Sequence, residues 1–159
     1  MSYQAVILTV SDSCAAGTRT DTSGPAIRAM LENAGFAVQA MQTVPDEEGQ
    51  ISAAIVHACD ILQADLVVTT GGTGLSPRDV TPEATLAVLD REIRAIPVAM
   101  WVEGLKSTPR AMLSRAVAGI RGHTLVLTVP GSEKAARENL RAGVATLDHA
   151  LRMLAGGGH

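Results

Sequence analysis

The chain has 159 residues, of which 47% are hydrophobic and 2% are aromatic, and its formal net charge is −3 at pH 7. These values suit a single globular domain over residues 1–159, and they argue against a nucleic-acid-binding surface, which needs basic side chains and stacking rings. Cys14 and Cys59 lack CxxC spacing, and the start MSYQAVILTV lacks both a basic region and an 18-residue apolar span. We therefore expect a cytoplasmic protein without membrane attachment.

Residues 5–70 predict alternating strands and helices. Unbroken apolar runs at Ala5 to Val10 and Leu66 to Thr70 predict strands that are buried on both faces of a parallel sheet. Helical spacing between Ser23 and Gly35 predicts a helix, and the alternation from Phe36 to Thr43 predicts another strand. A second helix follows, with Asp46 as its predicted N-cap. Its predicted apolar stripe consists of Ile51, Ile55, Ala58, Cys59 and Leu62.

The run from Thr69 to Thr85, TTGGTGLSPRDVTPEAT, contains three glycines and leads from a predicted buried strand into a predicted helix. Glycines permit positive φ and let bare N–H groups approach an anion, while Thr81-Pro82 is a typical N-cap and first helical position. Asp79 stands in the same run, and phosphate repels a carboxylate unless a divalent cation lies between them. The run therefore predicts a phosphate site with magnesium and a nucleotide or phosphorylated substrate.

Three helices are predicted next, one near residues 82–90, one from Pro97 and a short one from Thr108-Pro109. In the middle helix, Trp101 is interpreted as core or as a subunit contact, together with Val98 and Leu105. Glu103 and Gly104 are candidate pocket residues. Arg91, Glu92 and Arg94 are interpreted as a solvated face. The histidines lack zinc spacing and are expected at the surface; they are His57, His123, His149 and His159.

The last part of the chain predicts an antiparallel edge and a long helix. Apolar runs at Ala116 to Ile120 and Thr124 to Val129 are joined by Arg121-Gly122-His123, which favours a hairpin. Pro130-Gly131-Ser132 then leads into a helix whose apolar stripe faces the sheet, and residues 156–159 are interpreted as a frayed tail. Together, the elements predict a three-layer α/β/α domain with a mostly parallel sheet and an antiparallel edge hairpin.

Each of the first three predicted strands is followed by an aspartate, at Asp12, Asp46 and Asp79. Because ligands of open α/β sheets bind outside the carboxyl ends of the strands, we expect these carboxylates to face one crevice. Basic residues in segments that can reach the same edge are Arg19, Arg78, Arg115 and Lys134. Carboxylates for a metal beside cations for phosphate predict phosphoryl or nucleotidyl transfer, which requires no covalent nucleophile.

Simpler roles stay open for these residues. Asp46 can be only an N-cap, Asp12 can be only the acceptor of an Asx turn, and Asp79 can be only a turn residue. Pro130-Gly131-Ser132 can be only a turn before a helix. Cys14 has no histidine placed to activate it, so it is interpreted as an ordinary small residue.

Five segments together closely resemble the molybdopterin adenylyltransferases, which include the MogA-type proteins and the G domains of gephyrin-like proteins. The segments are the glycine-rich run, LTVSDSC near the start, VPDE at 44–47, LSRAVAGIRG at 113–122 and VPGS at 129–132. The resemblance runs from about residue 5 to residue 154 in the family's order. Retention of the PDE and RDVTPEAT segments favours the MogA-like branch over MoaB-type chains.

The resemblance implies a homotrimer of mixed-sheet α/β/α domains that uses Mg-ATP to adenylylate the terminal phosphate of molybdopterin, with release of pyrophosphate. It implies that Asp46 and Asp79 are the catalytic pair and the ligands of Mg²⁺. It implies a substrate-binding set of Ser11, Asp12, Ser13, Gly71, Gly72, Thr73, Gly74, Arg78, Thr81, Gly131 and Ser132. ATP and molybdopterin are then the small-molecule partners, and a separate molybdate-inserting enzyme is a candidate partner.

Two positions depart from the family pattern. Thr128 stands where the family often has the Asn of Asn-x-Pro-Gly, and Gly104 stands where relatives often have Ser; both changes bear on pterin contacts. An alternative function is a non-catalytic molybdopterin-binding carrier or assembly protein, and a third is a nucleotide-sensing module that binds ATP alone. A carrier does not need two carboxylates around a metal, so Asp46 and Asp79 favour the enzyme.

Overall fold

A computed structural model describes residues 2–157, which form a six-stranded mixed sheet with strand order β2-β1-β3-β6-β5-β4. The strands are β1 (Gln4–Val10), β2 (Ala37–Val44), β3 (Leu66–Thr70), β4 (Arg91–Glu92), β5 (Ala118–Arg121) and β6 (Thr124–Val129). Strands β1, β2, β3 and β6 are parallel, whereas β5 is antiparallel to both β6 and β4. The predicted mostly parallel sheet with an antiparallel edge hairpin is confirmed.

Helices cover both faces of the sheet. They are α1 (Asp12–Ala15), α2 (Ser23–Asn33), α3 (Glu48–Val56), α4 (Thr81–Leu86), α5 (Ala95–Leu105) and α6 (Glu133–Leu154). A π-helix (His57–Ile61) continues α3, and a 3-10 helix (Pro109–Leu113) follows α5. Within residues 2–157, no helix is both long and apolar enough to cross a bilayer.

Two apolar cores lie on opposite faces of the sheet because successive side chains of a strand point to opposite faces. On one face, Ile7 of β1 packs in a cluster with Leu31 of α2 and Leu140 of α6. On the other face, Leu8 belongs to a cluster with Ile51 of α3. Burial of each such side chain contributes roughly 1.5–3 kcal/mol, and the three-layer α/β/α arrangement follows from these two cores.

Local features of the sequence set several boundaries. Helix α2 ends before Gly35, whose φ of +91° is readily adopted only by glycine. Helix α6 begins after Ser132, whose side chain accepts a hydrogen bond from the N–H of Ala135 at 3.3 Å. Helix α6 ends at Leu154, just before the predicted tail at 156–159, of which residues 158 and 159 lie outside the described residues.

Two predicted details are wrong, and one short helix was missed. The helix near 82–90 already ends at Leu86, because the chain leaves it to form β4 beside β5. The hairpin loop has two residues and not three, since Arg121 pairs with Thr124. The loop after β1 contains the short helix α1, which the sequence reading missed.

Helix α5 rules out the core for two of the residues that were interpreted as core or as a subunit contact. Its buried residues are Pro97, Met100 and Gly104, whereas Val98 is 50% exposed and Leu105 is 44% exposed. Val98 and Leu105 therefore do not belong to the core of this chain. Trp101 is half-buried.

Candidate active site

A cavity of about 780 Å³ opens at the carboxyl edge of the parallel strands. The strands end together there, since Val10 is in register with Val44, and Thr70 is in register with Thr9 and Val129. The volume is typical of small-molecule sites, and the carboxyl edge is where open α/β sheets bind ligands. The predicted site residues that line the cavity are Ser11, Asp46, Gly71, Gly72, Thr73, Gly74, Asp79, Gly131 and Ser132.

The glycine-rich loop after β3 forms one wall of the cavity at close quarters. Gly71 has a φ of +103°, its N–H donates to the carbonyl of Val129 at 3.0 Å, and a Cβ atom there would collide with the carbonyl oxygen of Val10. Gly72 has a φ of +68°, and a Cβ atom there would come within 3.1 Å of Asp46 Oδ1. Glycine is therefore required at both positions, for conformation and for space.

Arg115 holds this loop in place, a role that the sequence reading missed. Its backbone N–H donates to the carbonyl of Thr73 at 2.8 Å, and its guanidinium donates to the carbonyls of Gly74 at 2.8 Å and Asp79 at 2.6 Å. It also pairs with Glu83, whose pKa it lowers through that hydrogen bond. Arg115 was predicted at this edge as a cation for phosphate, but its guanidinium is committed to the protein.

Asp46 and Asp12 bind each other's backbone across two loops. The N–H of Asp12 donates to Asp46 Oδ2 at 2.9 Å, and the N–H of Asp46 donates to Asp12 Oδ1 at 3.0 Å. The prediction that Asp46 is the N-cap of the next helix is wrong, because α3 begins at Glu48 after Glu47. The Asp46 side chain accepts a distant amide and not one from its own helix.

Asp79 lies in a turn and also lines the cavity. Its Oδ2 accepts the N–H of Ser76 at 2.9 Å, and its own N–H donates to the carbonyl of Ser76 at 2.9 Å. Within the described residues, neither Asp79 Oδ1 nor Asp46 Oδ1 receives a hydrogen bond. Each carboxylate thus has one oxygen fixed by a backbone amide and one oxygen without a protein donor.

Four residues of the predicted substrate-binding set are not among those that line the cavity; they are Asp12, Ser13, Arg78 and Thr81. Arg78 binds both carboxylate oxygens of Asp12 at 3.0 Å and Glu47 at 3.0 Å. Ser13 Oγ lies 3.2 Å from Ser11 Oγ, which is the side-chain cap of α1. Thr81 is buried beside Gly72, to whose carbonyl its N–H donates at 3.1 Å.

The pKa values of Asp46 and Asp12 shift in opposite directions. Burial raises the pKa of Asp46, and the nearby charges of Asp12 and Asp79 raise it further. The hydrogen bond from Arg78 lowers the pKa of Asp12, as does the backbone N–H of Asp46. Burial therefore disfavours the charged form of Asp46, whereas Arg78 favours the charged form of Asp12.

The start of α2 contributes a third carboxylate, Asp21, that the sequence reading missed. Asp21 lines the cavity, accepts the Thr9 hydroxyl at 2.7 Å and accepts the N–H of Gly24 at 3.0 Å. Its place just before Ser23-Gly24-Pro25, a helix-start pattern, is the feature that marks it in the sequence. Arg19, which was predicted to reach this edge, also lines the cavity.

Helices α5 and α6 and the 3-10 helix form the opposite wall. Buried polar atoms without a hydrogen-bond partner in the described part of the chain include Trp101 Nε1, Ser114 Oγ and Asn139 Oδ1, and all three residues line the cavity. Gly104 lines it as predicted, whereas Glu103 is not among the lining residues. The sequence offers one sign of this wall, the polar Asn139 directly before Leu140 of the apolar stripe of α6, and the structure buries it.

The two departures from the family pattern lie in different surroundings. The Thr128 hydroxyl donates to the carbonyl of Val117 at 3.0 Å and accepts its N–H at 2.8 Å, so it is satisfied within the sheet. A Cβ atom at Gly104 would lie 2.9 Å from the Cβ of Ala111, so this wall is too tight for a larger residue without a shift. The change at Gly104 is the one that touches the cavity.

A mostly parallel α/β domain with a glycine cradle and two carboxylates at its carboxyl edge belongs to the class of domains that bind phosphorylated ligands. The family model described as "Probable molybdopterin binding domain" matches residues 6–149. The chain belongs to this family, and the resemblance predicted from the sequence is confirmed.

Relatives and solved structures agree with this assignment. The molybdopterin adenylyltransferase of Helicobacter pylori (strain J99) is 36% identical over 154 residues, which cover 94% of this chain and 86% of that protein. Gephyrin of Dictyostelium discoideum is 41% identical over 93% of this chain, but the chain spans only 22% of that protein's length. The molybdopterin biosynthesis enzyme MoaB of Thermus thermophilus is 48% identical, with a TM-score of 0.92 over 97% of each chain. Because this neighbour is a MoaB, the MogA-like branch stays a prediction.

Proposed function

We propose that the protein is a molybdopterin adenylyltransferase of molybdenum cofactor biosynthesis, which transfers AMP from ATP to the terminal phosphate of molybdopterin and releases pyrophosphate. The main support is the placement of Asp46 and Asp79 in the same cavity as the glycine cradle, each with one oxygen that lacks a protein donor. The named activity of a relative that is 36% identical over most of this chain adds to it. We also propose a cytoplasmic location, where ATP is available.

We assign phosphate binding to the residues that line the cavity at the carboxyl edge. Gly72 and Gly74 offer a backbone without side-chain obstruction, whereas the N–H of Gly71 already donates to Val129. Gly131 with Ser132 stands at the start of the 22-residue helix α6. A helix N-terminus and exposed backbone amides favour anions. Ser11 completes the set of direct contacts. Ser13 and Thr81 support these contacts indirectly, because Ser13 is hydrogen-bonded to Ser11 and Thr81 to Gly72.

The residues present fit a magnesium ion. Asp46 and Asp79 supply carboxylate oxygens, and among residues 2–157 no group of three or more His, Cys, Asp or Glu side chains is placed to hold a metal. This donor set suits Mg²⁺, which is usually held by one or two carboxylates and completes its shell with water and substrate phosphates. When bound, the ion neutralises charge on the phosphates of ATP.

The reaction places few demands on the protein beyond position and charge. An oxygen of the molybdopterin phosphate forms a bond to the α-phosphorus of ATP while the bond from that phosphorus to the pyrophosphate oxygen breaks. The attacking phosphate oxygen is already deprotonated near neutral pH, so no general base is required. The work of the chain is to align the two phosphates in the cradle and to place the side chains of Asp46 and Asp79 beside them.

Incubation of the protein with molybdopterin, ATP and magnesium tests this function. Stoichiometric release of pyrophosphate and formation of adenylylated molybdopterin would support the enzyme. Binding of molybdopterin without pyrophosphate release would favour the alternative, a non-catalytic carrier or assembly protein. A molybdate-inserting enzyme is the proposed consumer of the product, because an adenylylated pterin is an activated intermediate.

We further propose that the protein is a homotrimer. Helix α5 presents an outward apolar stripe at helical spacing, with Val98 50% exposed, Val102 56% exposed and Leu105 44% exposed. A second copy of the chain would cover this stripe. Light scattering of the wild type is expected to give three times the mass of one chain, and Val102→Asp is expected to give a monomer. A monomeric wild type at micromolar concentration would reject the trimer.

A further inference from the structure

The cluster formed by Arg78, Asp12 and Glu47 lies beside the cavity and connects three loops at the carboxyl edge. We propose that Arg78 and Asp12 are positioning residues for Asp46 and do not contact the substrate. The inference rests on the proposed function, because it takes Asp46 as a catalytic group. It replaces the substrate-binding role that the family resemblance implied for both residues.

The first step of the argument is the direct bond between Asp12 and Asp46. Asp12 Oδ1 accepts the N–H of Asp46 at 3.0 Å, while the N–H of Asp12 donates to Asp46 Oδ2 at 2.9 Å. These reciprocal bonds join the loop after β1 to the loop after β2. They fix one oxygen of Asp46 and leave Oδ1 near Gly72, on the cavity side.

The second step of the argument is the bidentate hydrogen bonding of Arg78 to Asp12. Arg78 Nε and Nη2 bind the two carboxylate oxygens of Asp12 at 3.0 Å each, and Nη2 also binds Glu47 at 3.0 Å. A planar guanidinium that binds both oxygens fixes the plane of the carboxylate. The orientation in which Asp12 accepts the Asp46 amide is therefore set by Arg78, a residue of the glycine-rich run.

The third step is the charge and place of the cluster. Neither Arg78 nor Asp12 is among the residues that line the cavity. Arg78 is shared between two carboxylates, so the three side chains together carry a net negative charge, which repels phosphate. A cation that recognised phosphate would need its donors turned toward the glycine loop, whereas Nε and Nη2 of Arg78 are engaged with Asp12 and Glu47.

Substitution of Arg78 separates the two roles. If Arg78 positions Asp46, Arg78→Met and Arg78→Lys should both lower kcat by roughly tenfold, because a lysine keeps the charge but cannot bind two carboxylates in one plane. KM for ATP and for molybdopterin should change by less than about twofold. A KM that rises roughly tenfold in Arg78→Met and is restored in Arg78→Lys would instead show a phosphate contact and overturn the inference.

Arg121→Met is the matched control. Arg121 forms the same kind of bidentate pair, with Asp60, away from the cavity. We expect this variant to keep the wild-type kcat and KM. An equal loss of kcat in Arg121→Met would mean that removal of any surface guanidinium disturbs the domain, and it would overturn the inference.

Hydrogen exchange tests the positioning without any turnover. The amide of Asp46 should exchange roughly tenfold faster in Arg78→Met and in Asp12→Ala than in the wild type or Arg121→Met, because its acceptor is displaced or lost. Unchanged exchange in Arg78→Met would overturn the inference. A third outcome separates this inference from the proposed function. If the variants exchange faster but the wild type makes no adenylylated molybdopterin, Arg78 still positions Asp46, and the proposed function is rejected.

Discussion

Two arginine–aspartate pairs of the same kind lie at opposite edges of the sheet. At the carboxyl edge, Arg78 binds both oxygens of Asp12 at 3.0 Å. At the edge where β6 begins, Arg121 binds the two oxygens of Asp60 at 3.1 Å and 2.6 Å, and it also donates to the carbonyl of Val88 at 2.9 Å. In both pairs, the arginine lowers the pKa of its aspartate.

The pairs differ in what lies behind them. Asp12 accepts a hydrogen bond from the backbone N–H of Asp46, and Asp46 lines the cavity. Behind Asp60 is packed protein, including Cys59, whose pKa burial raises to about 11. Because exposed ion pairs contribute little to stability, the two pairs should matter about equally for folding. If Asp46 is catalytic as proposed, the comparison teaches that a surface ion pair acquires a functional role through the group that it orients.

The largest expected effect comes from removing one carboxylate charge at the carboxyl edge of the sheet, compared with the same change at the opposite edge. Asp79→Asn keeps the shape of the turn but removes a charge that, in the proposed function, helps to hold magnesium against the triphosphate. We expect adenylylation to fall by roughly a hundredfold or more, about 3 kcal/mol of transition-state stabilisation, while molybdopterin affinity changes only a few-fold. Asp60→Asn, the same substitution at the distal edge, should leave the rate unchanged.

Thermal stability provides the check on this comparison. Asp79 is half-exposed, so Asp79→Asn should hardly move the melting temperature. If Asp79→Asn melts early and retains full specific activity, Asp79 is only a turn residue, and its proposed metal role is wrong.

A smaller effect is expected at Thr73, which lies in the glycine-rich loop and lines the cavity. Thr73→Val should weaken molybdopterin binding by roughly tenfold, the loss of one hydrogen bond to a charged group. Thr69→Val is the control in the adjoining strand, because the buried Thr69 hydroxyl has no partner in the described part of the chain, and its removal should not weaken binding. Calorimetric titration of both variants measures the difference, and equal affinities would remove Thr73 from the site.

The fold could be predicted because its causes are local in the sequence. The apolar runs of β1 and β3 are buried on both faces of the sheet, as their composition predicts. Glycine at position 35 and Ser132 mark helix ends by their own chemistry. Strand β4 was missed because two exposed charged residues show no alternation. Strand β4 forms because it pairs with β5, which lies far from it in the sequence.

The site could be predicted only in outline, because its contacts join distant parts of the chain. The aspartates were placed correctly at the carboxyl edge, but the Asp46 side chain accepts an amide 34 residues away and not the nearby helix amides. Arg78 lies 66 residues from Asp12, so no spacing rule connects them. The wall that contains Trp101 and Asn139 forms only when α5 and α6 come together.

The smallest expected effect is on stability in acid, where the two edges should behave alike. Arg121 lowers the pKa of Asp60 below its usual value of 3.8, so the pair stabilises the fold above that pH, and the contribution is lost as the pH falls through the lowered pKa. Asp60→Asn should therefore melt slightly below the wild type near neutral pH, and the gap should narrow as the pH falls below 3.8 and close once the pH is below the lowered pKa of Asp60. Asp12→Asn should show the same dependence, because Arg78 lowers the pKa of Asp12 in the same way.

A gap that persists in acid at either edge would mean that the pair acts through packing and not through charge. Equal melting curves with a loss of adenylylation in Asp12→Asn alone would localise the functional difference to the bond between Asp12 and Asp46.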